Sequence, residues 1–220
     1  MGPCVIATVL LENTLIGLSL VAAIGFGLVF NGRRVSALRT VIKTLAVGAL
    51  TALALADDAP RLLILALALS AAGDAFLAGD PQKTLPFGLG AFLVAHLAYI
   101  WLFLHIGGGT AALEAEPWRA VGVFGALGAG VMMMTWLWRS IGPLRPAVSA
   151  YAAALALMVA AAFTLPHSLW PAMPGAVLFM VSDAILSAEL FKGLRKSWSG
   201  PAVWATYYGA QALIAWTFMR

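Results

Sequence analysis

Two aspartates stand where an apolar chain can least accommodate them. Asp74 lies within "LALALSAAGDAFLAGD" (65–80) and Asp183 within "SDAIL" (182–186), both runs that otherwise read as membrane-spanning helix. Placing a carboxylate near a bilayer centre costs roughly 2.5–3.5 kcal/mol on insertion scales, so an intramembrane acid is a functional candidate by default. Two carboxyl groups can divide acid/base work, one protonated and one ionised, as glycosidases do around an oxocarbenium-like transition state. Burial and mutual repulsion would enforce that division here.

Other polar residues fall inside apolar runs at helical spacing. Thr40, Lys43 and Thr44 recur at i, i+3 and i+4, as do His96 with Tyr99 and Tyr207 with Gln211; Ser149, Tyr151, Ser182 and Tyr208 complete the set. At 1.5 Å per residue, Lys43 and Asp74 lie roughly 8 Å from one end of their helices, Tyr207 roughly 10 Å, and His96 and Asp183 roughly 12–15 Å. Five helices thus bring ionisable or hydroxyl groups to similar depth in one half of the membrane, which favours a shared polar cavity. Lys43, with Arg39, is placed to hold a lipid phosphate, but reads equally as a lysine snorkelling to the interface. His96 reads either as a site residue or as an interhelical hydrogen-bonding group. Tyr207 and Tyr208 read as site residues or as part of an aromatic belt. Asp80 and Glu189, near helix ends, read as solvated.

The elements that must position these groups follow from composition. The 220 residues are 62% hydrophobic and 10% charged, against about 25% charged in a soluble domain, which indicates an all-α, polytopic integral membrane protein. The net charge of +4 is scattered over loop ends and implies no nucleic-acid partner. One cysteine, Cys4, precludes an intrachain disulfide. The N-terminal "MGPCVIATVL" lacks a basic n-region and is expected to lead into a retained first span.

Apolar runs of about 20 residues predict eight spans, at 8–30, 38–56, 61–79, 86–106, 117–138, 146–164, 168–191 and 200–219, in a single domain covering 1–220. The first carries Glu12 and Asn13 near its outer end. Arg33, Arg34, Lys83, Arg139, Arg145, Lys192, Arg195 and Lys196 fall in the odd-numbered loops, whereas the opposite side has Arg61, Arg119 and Arg220. The positive-inside rule then puts the odd loops in the cytoplasm and both termini outside a bacterial-type inner or plasma membrane. "GDAFL" (73–77) resembles "SDAIL" (182–186) four spans later, and "RTVIKT" (39–44) and "RPAVSA" (145–150) each open the preceding span. Together they suggest a parallel 4+4 internal repeat.

No metal or other cofactor is expected. His105 and His167 lie at the far ends of their spans, and His96 with two carboxylates makes a weak zinc signature. No nucleophile elbow, phosphate-binding loop or Cys–His pair is present. Three classes fit the inventory: a membrane hydrolase, a small proton-coupled transporter in which the acids relay protons, and a metal-dependent lipid amidase of the ceramidase type.

The motifs "KT" (43–44), "GDAFL", "HLAYI" (96–100), "PGAVLFMVSDAIL" (174–186) and "YYGAQALI" (207–214), in this order, resemble the YhhN family, which includes the mammalian lysoplasmalogenases. The resemblance implies an eight-span protein that hydrolyses the vinyl-ether bond of a lysoplasmalogen within the bilayer. The products would be a fatty aldehyde and glycerophosphoethanolamine or glycerophosphocholine. It also implies that Asp74 and Asp183 are the catalytic pair. Substrate contacts are then expected from Lys43, His96, Tyr99, Tyr151, Ser182, Tyr207, Tyr208 and Gln211.

Overall fold

The computed structural model describes residues 3–219, with the side chains of residues 3–5, 81 and 82 left aside. The side chain of Cys4 and the whole of Arg220 therefore lie outside the described residues. Among those residues there is no strand, and the elements run as α1 (Pro3–Gly25), α2 (Ala37–Ala56), α3 (Arg61–Ala78), α4 (Pro81–Ile106), α5 (Thr110–Ala115), α6 (Trp118–Leu137), α7 (Arg145–Ala162), α8 (Ala172–Lys192) and α9 (Ser199–Phe218). The short α5 lies in a stretch that the hydropathy pattern treats as loop. Among the described residues eight helices are long, and seven of them are long and apolar enough to cross a bilayer. The chain is a polytopic helical membrane protein. The eighth long helix, α9, falls short because Tyr207, Tyr208, Gln211, two threonines and two tryptophans lower its mean hydropathy. With no water in the hydrocarbon, helices that satisfy their own backbone are a viable way to span it.

Successive helices pack as the antiparallel pairs α1/α2, α3/α4, α6/α7 and α8/α9, and α4 against α7 joins the two halves. Small residues set the close approaches. A Cβ at Gly73 would lie 2.6 Å from Cε2 of Phe92 on α4, and one at Gly175 would lie 2.9 Å from Ile214 on α9. Large apolar side chains such as Val21, Leu28, Val121 and Phe124 face outward, as lipid-facing surface requires. Trp118, Trp136, Trp138 and Trp198 are exposed near helix ends, whereas Trp204 is buried.

Two features depart from regular helix and bear on the site. After α1 the chain widens into a π turn over Phe26–Phe30, the kind of local unwinding that leaves carbonyls free for side chains. The Arg39 Nε donates to the Phe30 carbonyl at 3.2 Å, and Trp204 Nε1 donates to the Ala23 carbonyl at 2.8 Å. At the opposite end of the bundle, Arg119 is fully buried and ties α6 to the α7–α8 turn. It donates to the carbonyls of Phe163 and Leu165 and to Glu116. Its place in the charge count hid that role.

Candidate active site

The site begins on α3. Gly73 lets the Phe92 ring lie against the helix beside Asp74, and Phe92 packs edge-on to Tyr207 and Phe179, with centroids 5.7 and 6.2 Å away. This aromatic wedge fixes Tyr207, whose hydroxyl donates to Asp74 Oδ2 at 2.7 Å. From α2, Lys43 Nζ reaches Asp74 Oδ1 at 3.1 Å, with side-chain exposures of 14% for the lysine and 1% for the aspartate. Both carboxylate oxygens of Asp74 are thus engaged, one by a cation and one by a phenol. The ammonium also lies 5.9 Å from the ring centres of Phe26 and Trp204, which shield it.

Asp183, on α8, has a different environment. The Tyr151 hydroxyl, from α7, donates to its Oδ2 at 2.6 Å, and among the described residues no cation pairs with it. It is partly accessible. The neighbouring Ser182 is buried and donates to the Val203 carbonyl at 3.0 Å, fastening α8 to α9. In each half of the chain, then, the helix preceding the aspartate supplies a hydrogen-bonding or ionic partner for it.

One cavity of about 430 Å³ is lined by both aspartates together with Lys43, Tyr151, Ser182 and Tyr207, within the range of small-molecule sites. Its remaining wall is largely apolar, including Met132 and Met133 from α6, Leu155 from α7, and Met180 and Leu186 from α8. Asp74 and Asp183 are not hydrogen-bonded to each other. They face a common space through separate partners.

The other sequence-selected residues lie behind or away from this cavity. Tyr99 donates to Gln211 Oε1 at 2.6 Å, and both residues are fully buried. His96 is also fully buried, wedged edge-on to Tyr151 and Phe179 with centroids 5.0 and 4.8 Å away, and neither ring nitrogen has a hydrogen-bond partner. Tyr208 turns away toward α1, where its hydroxyl lies 2.8 Å from that of Ser19. Tyr207 and Tyr208 are adjacent, so on a helix they point about 100° apart, and only one can face Asp74. Among the described residues no three His, Cys, Asp or Glu side chains converge as metal ligands.

Several polar residues that were not among the sequence-selected site residues also border the cavity, among them Ser187 on α8. Asn31, Arg195 and Glu189 line its mouth with Arg39. Arg195 had been counted only as a topology signal, and Asn31 sits just past the π turn, whose geometry no local pattern announces.

The YhhN family model matches residues 38–218, a range that takes in both carboxylates and their direct partners Lys43, Tyr151 and Tyr207. Two curated relatives, the lysoplasmalogenases of Mycobacterium bovis (strain ATCC BAA-935 / AF2122/97) and Mycobacterium tuberculosis (strain CDC 1551 / Oshkosh), are each 36% identical over 162 residues. The aligned region covers 70% of this chain and 59% of each relative, so the chain spans about three-fifths of their length. No solved structure matches it.

Proposed function

Because the chain belongs to the YhhN family, we propose that it is a lysoplasmalogenase-like membrane hydrolase, cleaving the vinyl-ether bond of an alkenyl lysophospholipid to a fatty aldehyde and a glycerophospho-alcohol. The observation that carries this reading is the pair of unlike carboxyl groups on one apolar cavity, Asp74 against a cation and Asp183 against a phenol alone. Asp183 has a phenol but no counter-ion on a largely apolar cavity, which favours it as the group that carries the proton, and the Lys43 ammonium favours Asp74 as the carboxylate.

Vinyl ethers hydrolyse once a proton reaches the alkene β-carbon. Asp183 delivers it, and the electron pair of the C=C bond takes it up, leaving an oxocarbenium ion between the α-carbon and the ether oxygen. Asp74 accepts a proton from the attacking water as the new C–O bond forms, giving a hemiacetal. For collapse, Asp183, now ionised, removes the hemiacetal hydroxyl proton while the glycerol oxygen leaves with the proton held by Asp74. Both carboxyl groups end as they began, and aldehyde and alcohol are released. Tyr207 and Lys43 orient the Asp74 carboxylate, Tyr151 orients Asp183, and the apolar wall takes the alkenyl chain.

This reading goes with a single domain in which all eight long helices span the membrane, the basic loops lying in the cytoplasm by the positive-inside rule. The two aspartates then occupy related positions in a 4+4 repeat, each bonded from the helix before it. The test is aldehyde release by purified protein in detergent, given lysolipids with and without the vinyl ether. Aldehyde is expected from the vinyl-ether lipid only, and Asp74→Asn and Asp183→Asn should each abolish it while the protein remains folded. Wild-type release by both variants overturns the assignment.

A further inference from the structure

The mouth of the cavity carries two guanidinium groups that, among the described residues, form no ion pair with a carboxylate. Arg39 is held rigidly. Its Nε and one terminal nitrogen donate to the carbonyls of Phe30 and Ala78 at 3.2 and 2.8 Å, and its cationic carbon lies 5.4 Å from the Phe26 ring centre. The second terminal nitrogen is uncommitted. Arg195 follows the left-handed cap of α8 at Gly193 (φ 65°), which reverses the chain and returns it over the mouth. It is exposed, makes no side-chain hydrogen bond or ion pair among the described residues, and lines the same cavity as Arg39, close enough for the two charges to repel. Glu189 borders the same space, but its Oε1 accepts the Ser199 hydroxyl and is drawn to the α8–α9 turn. Asn31 adds an amide nitrogen that is buried and has no partner.

Two like charges that line one cavity beside an unpaired donor are stabilised when an anion sits between them. Guanidinium groups suit phosphate in particular, presenting planar, paired donors to its oxygens. Of the two cations that sequence reasoning assigned to this task, Lys43 is committed to Asp74, which leaves Arg39. We propose that Arg39, Arg195 and Asn31 form a binding site for the phosphodiester of a lysophospholipid headgroup, one helical turn outside the acid pair. This rests on the lysolipid reading above and names the part of the substrate those residues recognise. The spacing agrees with it. Arg39 and Lys43 are four residues apart on α2, about 6 Å along the axis, comparable with the glycerol backbone that separates an sn-1 ether oxygen from an sn-3 phosphate. A lipid anchored by its phosphate at the mouth would therefore present its ether linkage at the depth of Asp74.

The test uses binding, so that it does not depend on turnover. Full-length protein in nanodiscs is titrated with a saturated 1-O-alkyl glycerophosphocholine, which has no vinyl ether to cleave, and with the matching 1-O-alkyl glycerol, which has no phosphate. Arg195→Gln, in an exposed loop, should weaken the phospholipid about ten- to hundred-fold, the worth of a charged hydrogen bond, and leave the alkyl glycerol unchanged. Arg195→Lys should fall between. Arg39→Gln should act in the same direction, with Arg195→Gln deciding the matter if Arg39→Gln folds poorly. Glycerophosphocholine without a chain, and inorganic phosphate, should compete weakly. Equal binding of both lipids by wild-type protein and Arg195→Gln overturns the proposal, and so does competition by chain-free phosphate esters as strong as that by the lipid. If the phosphate dependence holds but no vinyl-ether lipid is hydrolysed, the anion site stands and the hydrolase reading falls.

Discussion

Removing the ammonium from the Lys43–Asp74 pair should damage the protein more than removing the carboxylate. Asp74 is 1% exposed, its two oxygens taken by Lys43 at 3.1 Å and Tyr207 at 2.7 Å. Lys43→Met leaves a carboxylate in the bundle with a phenol as its only partner. Breaking a buried ion pair from one side costs about 3–5 kcal/mol, and at about 2–4 °C per kcal/mol for a chain of this size, the melting temperature in detergent should fall by roughly 6–20 °C. Asp74→Asn is milder, because the lysine is 14% exposed and borders the cavity, so its charge can be solvated there. The double variant Lys43→Met/Asp74→Leu has no charge left to strand and should recover most of the loss of Lys43→Met, since apolar replacements of buried pairs are often neutral or stabilising. Activity should be lost in all three. Thermal unfolding of wild type, Lys43→Met, Asp74→Leu and the double variant forms a double-mutant cycle. If Lys43→Met melts with the wild type, or if the double variant is less stable than Lys43→Met, the pair does not hold the bundle in the way argued.

Gly73→Ala should cost about 1–3 kcal/mol, the usual range for overpacking, because its Cβ would lie 2.6 Å from the Phe92 ring that buttresses Tyr207; Phe92→Leu in the same chain should restore part of the stability, measured by thermal melting. Tyr151→Phe removes the phenol that orients Asp183 and should lower kcat with little change in KM, by less than the 10²–10⁴-fold expected for Asp183→Asn; an unchanged kcat refutes that orienting role. Outside the spans, the hydrogen bond from Arg119 to Glu116, helped by the Trp118 indole and by the charges of Arg119 and His167, holds the Glu116 carboxyl below its ordinary value of 4.5. A depressed carboxyl contributes stability above its unfolded value and loses it as pH falls through the folded one. Glu116→Gln should therefore melt below wild type at pH 7, and the gap should close on acidification below about 4.5; a pH-independent gap would falsify the linkage.

Hydropathy located the long helices to within a few residues because a helix must be apolar over about 20 positions to suit the hydrocarbon. The same criterion weakened at α9, where Tyr207, Tyr208 and Gln211 make the helix useful and less apolar together. Intramembrane polarity singled out Asp74, Asp183, Lys43 and Tyr207 because each is expensive in lipid. It could not assign partners, which depend on the rotation of each helix about its axis. Tyr207 and Tyr208 look alike in sequence, yet one bonds Asp74 and the other lies against Ser19. Arg195 was out of reach for a further reason: its position follows from the αL turn at Gly193 and the packing of two distant helices.

By depth along the sequence, Lys43, His96, Tyr207 and both aspartates share one polar layer, with Tyr99 and Gln211 at helical spacing from His96 and Tyr207; the structure resolves this set into two tiers. Lys43, Asp74, Tyr207, Tyr151 and Asp183 touch the cavity, whereas Tyr99 and Gln211 bond each other and His96 is sealed by aromatic rings behind it. Gln211 follows Tyr207 by four residues, so α9 presents one polar group to the cavity and the next to the buried side of the bundle, about 6 Å deeper. A carboxylate in lipid needs a partner that cannot swing away, and a partner is fixed when its own surroundings are fixed. Tyr207 is wedged by Phe92 and Phe179, with centroids at 5.7 and 5.4 Å, and Tyr151 is abutted by His96 at 5.0 Å. The rear tier thus meets the front one through packing: His96 abuts Tyr151, and His96, Tyr99 and Gln211 stand outside the cavity wall.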